Sequence, residues 1–178
     1  GLPWSTRGRS GLLLSCLQAQ HSDTLVLFPA AWRAALNQRC LGFAERISEE
    51  WPTYALAHLV KAQALAQSDG TNGLALALDE ARKRARQEGW QASWRLLLAM
   101  RHGTPEQFAG NVGFANDVAL MASGLTVDQG LLDMYLRNPT WHDLIVVGVE
   151  KTPSSVQKRF VYLLQQRMTR TQMEDSDE

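Results

Sequence analysis

Apolar residues recur at intervals of three and four through most of the chain, the period of an α-helix whose one face is buried. Val156, Phe160, Leu163 and Leu164 fall on one side of a C-terminal segment, with Gln157, Lys158, Gln165 and Arg167 mostly elsewhere. Trp90, Trp94 and Leu97 form a second stripe, and Leu74, Leu78, Ala81 and Ala85 a third. Between these stripes lie helix-start signals, in which a Ser or Thr hydroxyl caps a backbone N–H and a residue three positions on reaches back. They occur at Thr104-Pro105-Glu106-Gln107, at Thr126-Val127-Asp128-Gln129 and, with a shorter Asp, at Thr140-Trp141-His142-Asp143; a fourth start follows Pro153 at Ser154 or Ser155. The pattern predicts an all-α fold: an irregular hairpin and bundle domain of roughly eight or nine helices joined by short turns.

Two apolar runs are too short for periodicity to assign. Residues 144–149 follow a capping signal and read as helix; residues 24–28, Thr-Leu-Val-Leu-Phe, are left open between strand and helix. The expected organisation is a flexible or partly helical segment over 1–22, one all-helical domain over 23–172 and an acidic disordered tail over 173–178. Gly110 and Gly113 are expected inside a helix, permitting a bend or close packing.

Composition narrows the function classes. With 178 residues, 45% hydrophobic and 20% charged, the chain can bury one real core. Its formal charge of zero argues against a dedicated binder of nucleic acid or anionic membrane. No apolar stretch approaches the roughly 20 residues of a membrane span. Arg7 and Arg9 before Gly11–Leu17 share the layout of a signal peptide or lipidated cysteine, but Leu14 suits no lipidation site and no cleavage site follows. The first residue is Gly rather than Met, so a piece of a longer protein is expected. The two cysteines, Cys16 and Cys40, make no framework or metal spacing; both read as buried thiols in a reducing, cytoplasmic setting.

Catalytic chemistry has little support in the residues. The four histidines, His21, His58, His102 and His142, fall in no zinc-ligand spacing, and no phosphate-binding glycine loop is present. The adjacent His142 and Asp143 read as ordinary first-turn polar residues, because neighbours on a helix point about 100° apart. No metal and no cofactor is expected.

Residues 52–89 resemble a tetratricopeptide repeat, a helical hairpin in which small residues sit where two helices approach closely. Pro52 stands at the closing-proline position of a preceding unit. Ala62 and Leu65 match the first helix, Leu78 and Ala81 the second, and Ser68–Gly73 form the turn. His58 and Lys61 replace the usual Trp and Leu, and neighbouring segments do not repeat the pattern, so one hairpin is matched rather than a solenoid. The resemblance implies a scaffold that binds peptides or partner proteins.

Two basic clusters offer contacts. Arg82, Lys83, Arg84 and Arg86 form a solvated face near a helix C-terminus and, with Trp90 and Trp94, the expected partner-binding set; the two tryptophans also suit core packing. Residues 143–160 resemble a DNA-binding helix-turn-helix, in which Gly148 makes the turn and Gln157, Lys158 and Arg159 face DNA. The turn is about two residues too long for that motif. The preferred reading is a non-enzymatic scaffold or adaptor for a protein partner. The alternatives are a DNA-binding regulator using residues 140–170, and an enzyme whose site assembles from distant residues.

Overall fold

The computed structural model describes residues 5–68, 73–124 and 129–176, with side chains through Arg170. Among the described residues the chain is 85% helical with no strand, and the all-α class expected from the periodicity holds. It divides into two compact units, residues 1–104 and 105–178.

The first unit contains α1 (Thr6–His21), a 3-10 turn (Asp23–Leu27), α2 (Ala30–Glu50), α3 (Ala55–Ser68), α4 (Leu74–Arg84) and α5 (Gly89–His102). The apolar run left open at 24–28 is therefore 3-10 helix over 24–27, with Phe28 extended after it. Helix α3 is central: α2 and α4 flank it, and α1 and α5 also pack on it. Its composition explains this place. Ala55, Leu56, Ala57, Leu59, Val60, Ala62, Gln63, Ala64 and Ala66 are all buried, so it is apolar nearly all round, and its alanines let neighbours come close. The matched hairpin of residues 52–89 is α3 followed by α4, with Ala62, Leu78 and Ala81 buried and Leu65 half-buried. Residues 69–72 of its expected turn lie outside the described residues.

Cys16 and Cys40 are joined as a disulfide between α1 and α2, their Cα atoms 5.7 Å apart, which corrects the expectation of two free thiols. Each stands in the buried stripe of its own helix, Leu13–Cys16–Leu17–Gln20 in α1 and Asn37–Cys40–Ala44–Ile47 in α2. Packing the two stripes together brings the sulfurs within bonding reach, a pairing no sequence spacing could announce.

The second unit contains α6 (Pro105–Phe108), α7 (Val112–Ala122), α8 (Gln129–Arg137), a 3-10 turn (Pro139–Trp141), α9 (His142–Glu150) and α10 (Ser154–Ser176). Helix α7 packs on α9, and α10 lies against α7, α8 and α9. Phe108, Phe114 and Trp141 gather with ring centroids 5.4–5.7 Å apart, and Tyr135 stacks on His142 at 3.8 Å. The His142 ring nitrogen Nε2 donates to the Tyr135 carbonyl, a structural role that leaves Asp143 exposed.

One start signal and one expected helix differ from expectation. Thr140 belongs to the 3-10 turn that feeds α9, so it caps no α-helix through its side chain. Gly110 has φ +72° and ends the short α6, while Asn111 caps α7 by accepting from the Phe114 N–H; the helix expected through Gly110 is broken there because only a left-handed residue allows the reversal. The start at Thr126 lies in 125–128, outside the described residues, as do 177–178 of the expected tail; α10 itself runs to Ser176. Among the described residues no helix is long and apolar enough to cross a membrane.

Candidate functional site

The C-terminal ends of α1, α3 and α5 meet the N-terminal half of α2 around a cavity of about 500 Å³. On α2 it is lined by Ala30, Arg33, Ala34, Asn37 and Gln38, positions that share one helical face. That face continues the stripe Asn37–Cys40–Ala44–Ile47, but its first two turns bury nothing: residues 30–35 are all exposed. The core-facing side of α2 thus extends beyond the core.

The floor is polar and ordered. Gln20 Nε2 donates to Asn37 Oδ1 at 2.8 Å, and Asn37 Nδ2 donates to the Ala64 carbonyl at 3.0 Å. Ser68 Oγ donates to the same carbonyl. The orphan carbonyls at the end of α1 are capped from other helices, Gln20 O by Gln67 Nε2 at 3.3 Å and His21 O by Arg101 Nη1 at 2.6 Å. Two polar atoms remain over: Gln20 Oε1 and His102 Nε2 are buried with no hydrogen-bond partner among the described residues. Gln20 is 2% exposed, so its amide oxygen carries a real desolvation cost.

The cations at the cavity are Arg33 and Arg101. Arg101 is partly committed, donating to His21 Nδ1 at 3.1 Å and lying 3.6 Å from the exposed Asp23 carboxylate. Burial holds His102 and His21 below the ordinary 6.5 of histidine, with Arg101 adding to both; burial does the same to His58, with Arg84 and Lys61 adding. All three belong to the first unit. In the unfolded chain they take up protons near pH 6.5 and in the folded chain only at lower pH, so acidification favours unfolding. Stability is expected to be full above about pH 7 and to fall as the pH drops below about 6.5. Urea midpoints of the full chain measured from pH 7.5 to 5.0 check this; a constant midpoint would show that the imidazoles titrate alike in both states.

Beside the cavity the connection into α2 is apolar and open to solvent. Leu25 and Val26 line the cavity, and Val26, Leu27 and Trp32 are 65%, 81% and 69% exposed. Phe28 between them is half-exposed.

The residues expected to contact partners lie elsewhere. Arg82 pairs with Asp79, and Lys83 and Arg84 pair with Glu80 within α4, which hold the Glu80 carboxyl down to about 2. Arg84 also donates to the Pro52 carbonyl, and Arg86 is exposed. The residues that α5 buries are Gln91, Ala92, Arg95, Leu96, Leu98 and Ala99, rather than the expected Trp90–Trp94–Leu97 stripe. Trp90 is half-exposed and Trp94 meets His21 edge-on. None of these six side chains lines the cavity.

Of the residues assigned to DNA in the helix-turn-helix resemblance, Gln157 donates to the Glu150 and Thr152 carbonyls, closing the end of α9. Arg159 donates to the Ala122 and Gly124 carbonyls at the end of α7, and Lys158 is exposed. Gly148 lies within α9, and the turn before α10 falls at 151–153. Among the described residues no three His, Cys, Asp or Glu side chains come together as a metal site. No family model, curated protein or solved structure matches the chain.

Proposed function

We propose that the chain is a non-enzymatic helical scaffold that binds a partner polypeptide along the edge formed by the 22–37 segment and its cavity. The observation that carries this reading is the run of exposed Val26, Leu27, Phe28 and Trp32 beside a concave surface. Solvent-facing aromatic and branched residues grouped in this way are the usual mark of a contact surface, and Trp is a frequent anchor. The sequential packing of α2, α3 and α4 supports the tetratricopeptide-like view of a hairpin scaffold with an open end. The Cys16–Cys40 disulfide favours an oxidising compartment over the cytoplasm.

Affinity purification of the full chain with mass spectrometry tests the reading when run beside a Val26→Asp/Trp32→Asp variant, both positions being exposed enough to leave the fold intact. A partner recovered with the native chain is expected to fall at least tenfold with the variant. Equal recovery would remove this edge from the interface. Salt-dependent retention on DNA that is lost on Lys158→Ala would instead favour the regulator.

A further inference from the structure

One side chain, Arg101 in the last turn of α5, holds both the end of α1 and the start of the segment that follows it. Its Nη1 donates to the His21 carbonyl at 2.6 Å and to the His21 ring nitrogen Nδ1 at 3.1 Å, and its Nη2 lies 3.6 Å from the Asp23 carboxylate. A guanidinium carries only donors and keeps its proton, so Nδ1 must be the acceptor and the ring must be neutral, with its hydrogen on Nε2. The same ring meets Trp94 edge-on, so α5 holds it twice. The charged and titratable groups that act on His21 are Arg101 and His102 of α5 and Asp23 of the 3-10 turn. From the other helices, α2 brings Arg33 and α3 the uncharged Gln67 and Ser68 to the cavity that Arg101 and His102 line. Beyond the clasp the chain bonds mainly to itself: none of residues 23–27 is buried, the Leu25 N–H donates to the Ser22 carbonyl, the Phe28 N–H to the Leu25 carbonyl, and the Ser22 and Thr24 hydroxyls pair.

We propose that Arg101 and His21 form an acid-opened clasp: when His21 takes up a proton at Nδ1, its ring leaves Arg101, and the 22–28 segment comes loose with Val26, Leu27 and Phe28 on it. The proton turns the one acceptor on the ring into a second donor and sets two cations side by side, so the contact changes from attractive to repulsive. A charged histidine at a helix C-terminus is ordinarily favourable, but Arg101 already occupies that place on the last carbonyl of α1. Asp23 opposes the repulsion only weakly, because its carboxylate is fully exposed. His21 is half-buried, so the ring can turn out to water without unfolding α1. His102, beside Arg101 in sequence, adds to the effect, since the two imidazoles oppose each other's protonation. The device needs no bound partner, and it stands whether or not the exposed edge is an interface.

Backbone amide order parameters of the full chain, measured by NMR relaxation from about pH 7.5 to about pH 4.5 beside the titration of the His21 ring signal, test this. At pH 7.5 residues 23–28 are expected to be as ordered as the helices, at about 0.85, and to fall below about 0.6 as the ring protonates, while α3 stays unchanged. The ring midpoint should lie below 6.5. Two variants at partly exposed positions separate the causes. Arg101→Met removes the clasp and should leave 23–28 loose already at pH 7.5. His21→Asn keeps an acceptor near the place of Nδ1 but cannot take up the proton, and should keep the segment ordered throughout. A segment that stays ordered while the ring protonates, or a ring that stays neutral to pH 4.5, overturns the proposal. So does an Arg101→Met chain as ordered over 23–28 as the native one, or a His21→Asn chain that still loosens in acid.

Discussion

Replacing Cys16 and Cys40 together by alanine is expected to destabilise the first unit by about 3 kcal/mol, because the bond closes a loop between positions 24 apart in sequence. A loop of that length restricts the unfolded chain by roughly that amount, and the loss should lower the unit's melting temperature by about 15 °C. Both cysteines are at most 5% exposed, so mild reductant should act slowly on the folded chain. The effect should also reach the cavity. Gln20 lies one turn beyond Cys16, Asn37 one turn before Cys40, and the two bond at 2.8 Å. The disulfide therefore pins the floor on which Gln20 Oε1 is held. Amide exchange of α3 in the full chain, oxidised against the double alanine variant, reads the change in this unit directly. A shift of less than about 0.5 kcal/mol would show that packing of the two stripes already fixes α1 on α2 without the bond.

Helices such as α4 were legible in the sequence because they bury one stripe, and the stripe repeats locally. Leu74, Leu78 and Ala81 needed only their own spacing to be placed in the core, and all three are buried. The cavity was not legible in that way. Gln20, Asn37 and His102 come from three helices, and what distinguishes them is which hydrogen bonds the fold supplies and which it withholds. A hint existed in the stripe Ala30–Ala34–Asn37–Cys40–Ala44–Ile47, where one polar residue interrupts a core face whose N-terminal end then proves exposed. Arg84, Gln157 and Arg159, read in the sequence as contacts for a ligand, each reach a backbone carbonyl, in two cases at the end of a helix, and long polar side chains used as remote caps look in sequence like a solvated binding surface. Trp90 and Trp94 share a helical face with each other, whereas the residues that α5 buries are Gln91, Ala92, Arg95, Leu96, Leu98 and Ala99, a set that the tryptophan spacing does not announce.

Gly148→Ala is expected to destabilise the second unit by about 2 kcal/mol, the opposite of its effect at an open helical site. Alanine in mid-helix ordinarily gains about 1 kcal/mol over glycine. Here an added Cβ would sit 2.5 Å from Val118 Cβ, 2.6 Å from Val118 Cγ1 and 3.0 Å from the Ala115 carbonyl oxygen. The first two atoms belong to a fully buried side chain branched at Cβ, and the third is backbone of α7, so no flexible tip can move aside. Overpacking of this kind costs up to about 3 kcal/mol, which outweighs the helical gain. Helices α7 and α9 meet at this point, so α7 must shift bodily or α9 must leave it, and Gly148→Val should be worse than Gly148→Ala. The double variant Gly148→Ala/Val118→Ala separates this cause from any other. Val118→Ala alone opens a cavity and costs about 2 kcal/mol, yet combined with Gly148→Ala it should cost at least about 1 kcal/mol less than the sum, because the new methyl enters the space vacated. Were Gly148 instead a turn residue of a helix-turn-helix, its substitution would be strained by backbone conformation, and trimming Val118 would bring no relief. Strict additivity in denaturant unfolding of the four chains would therefore reject close packing as the reason glycine stands at this position.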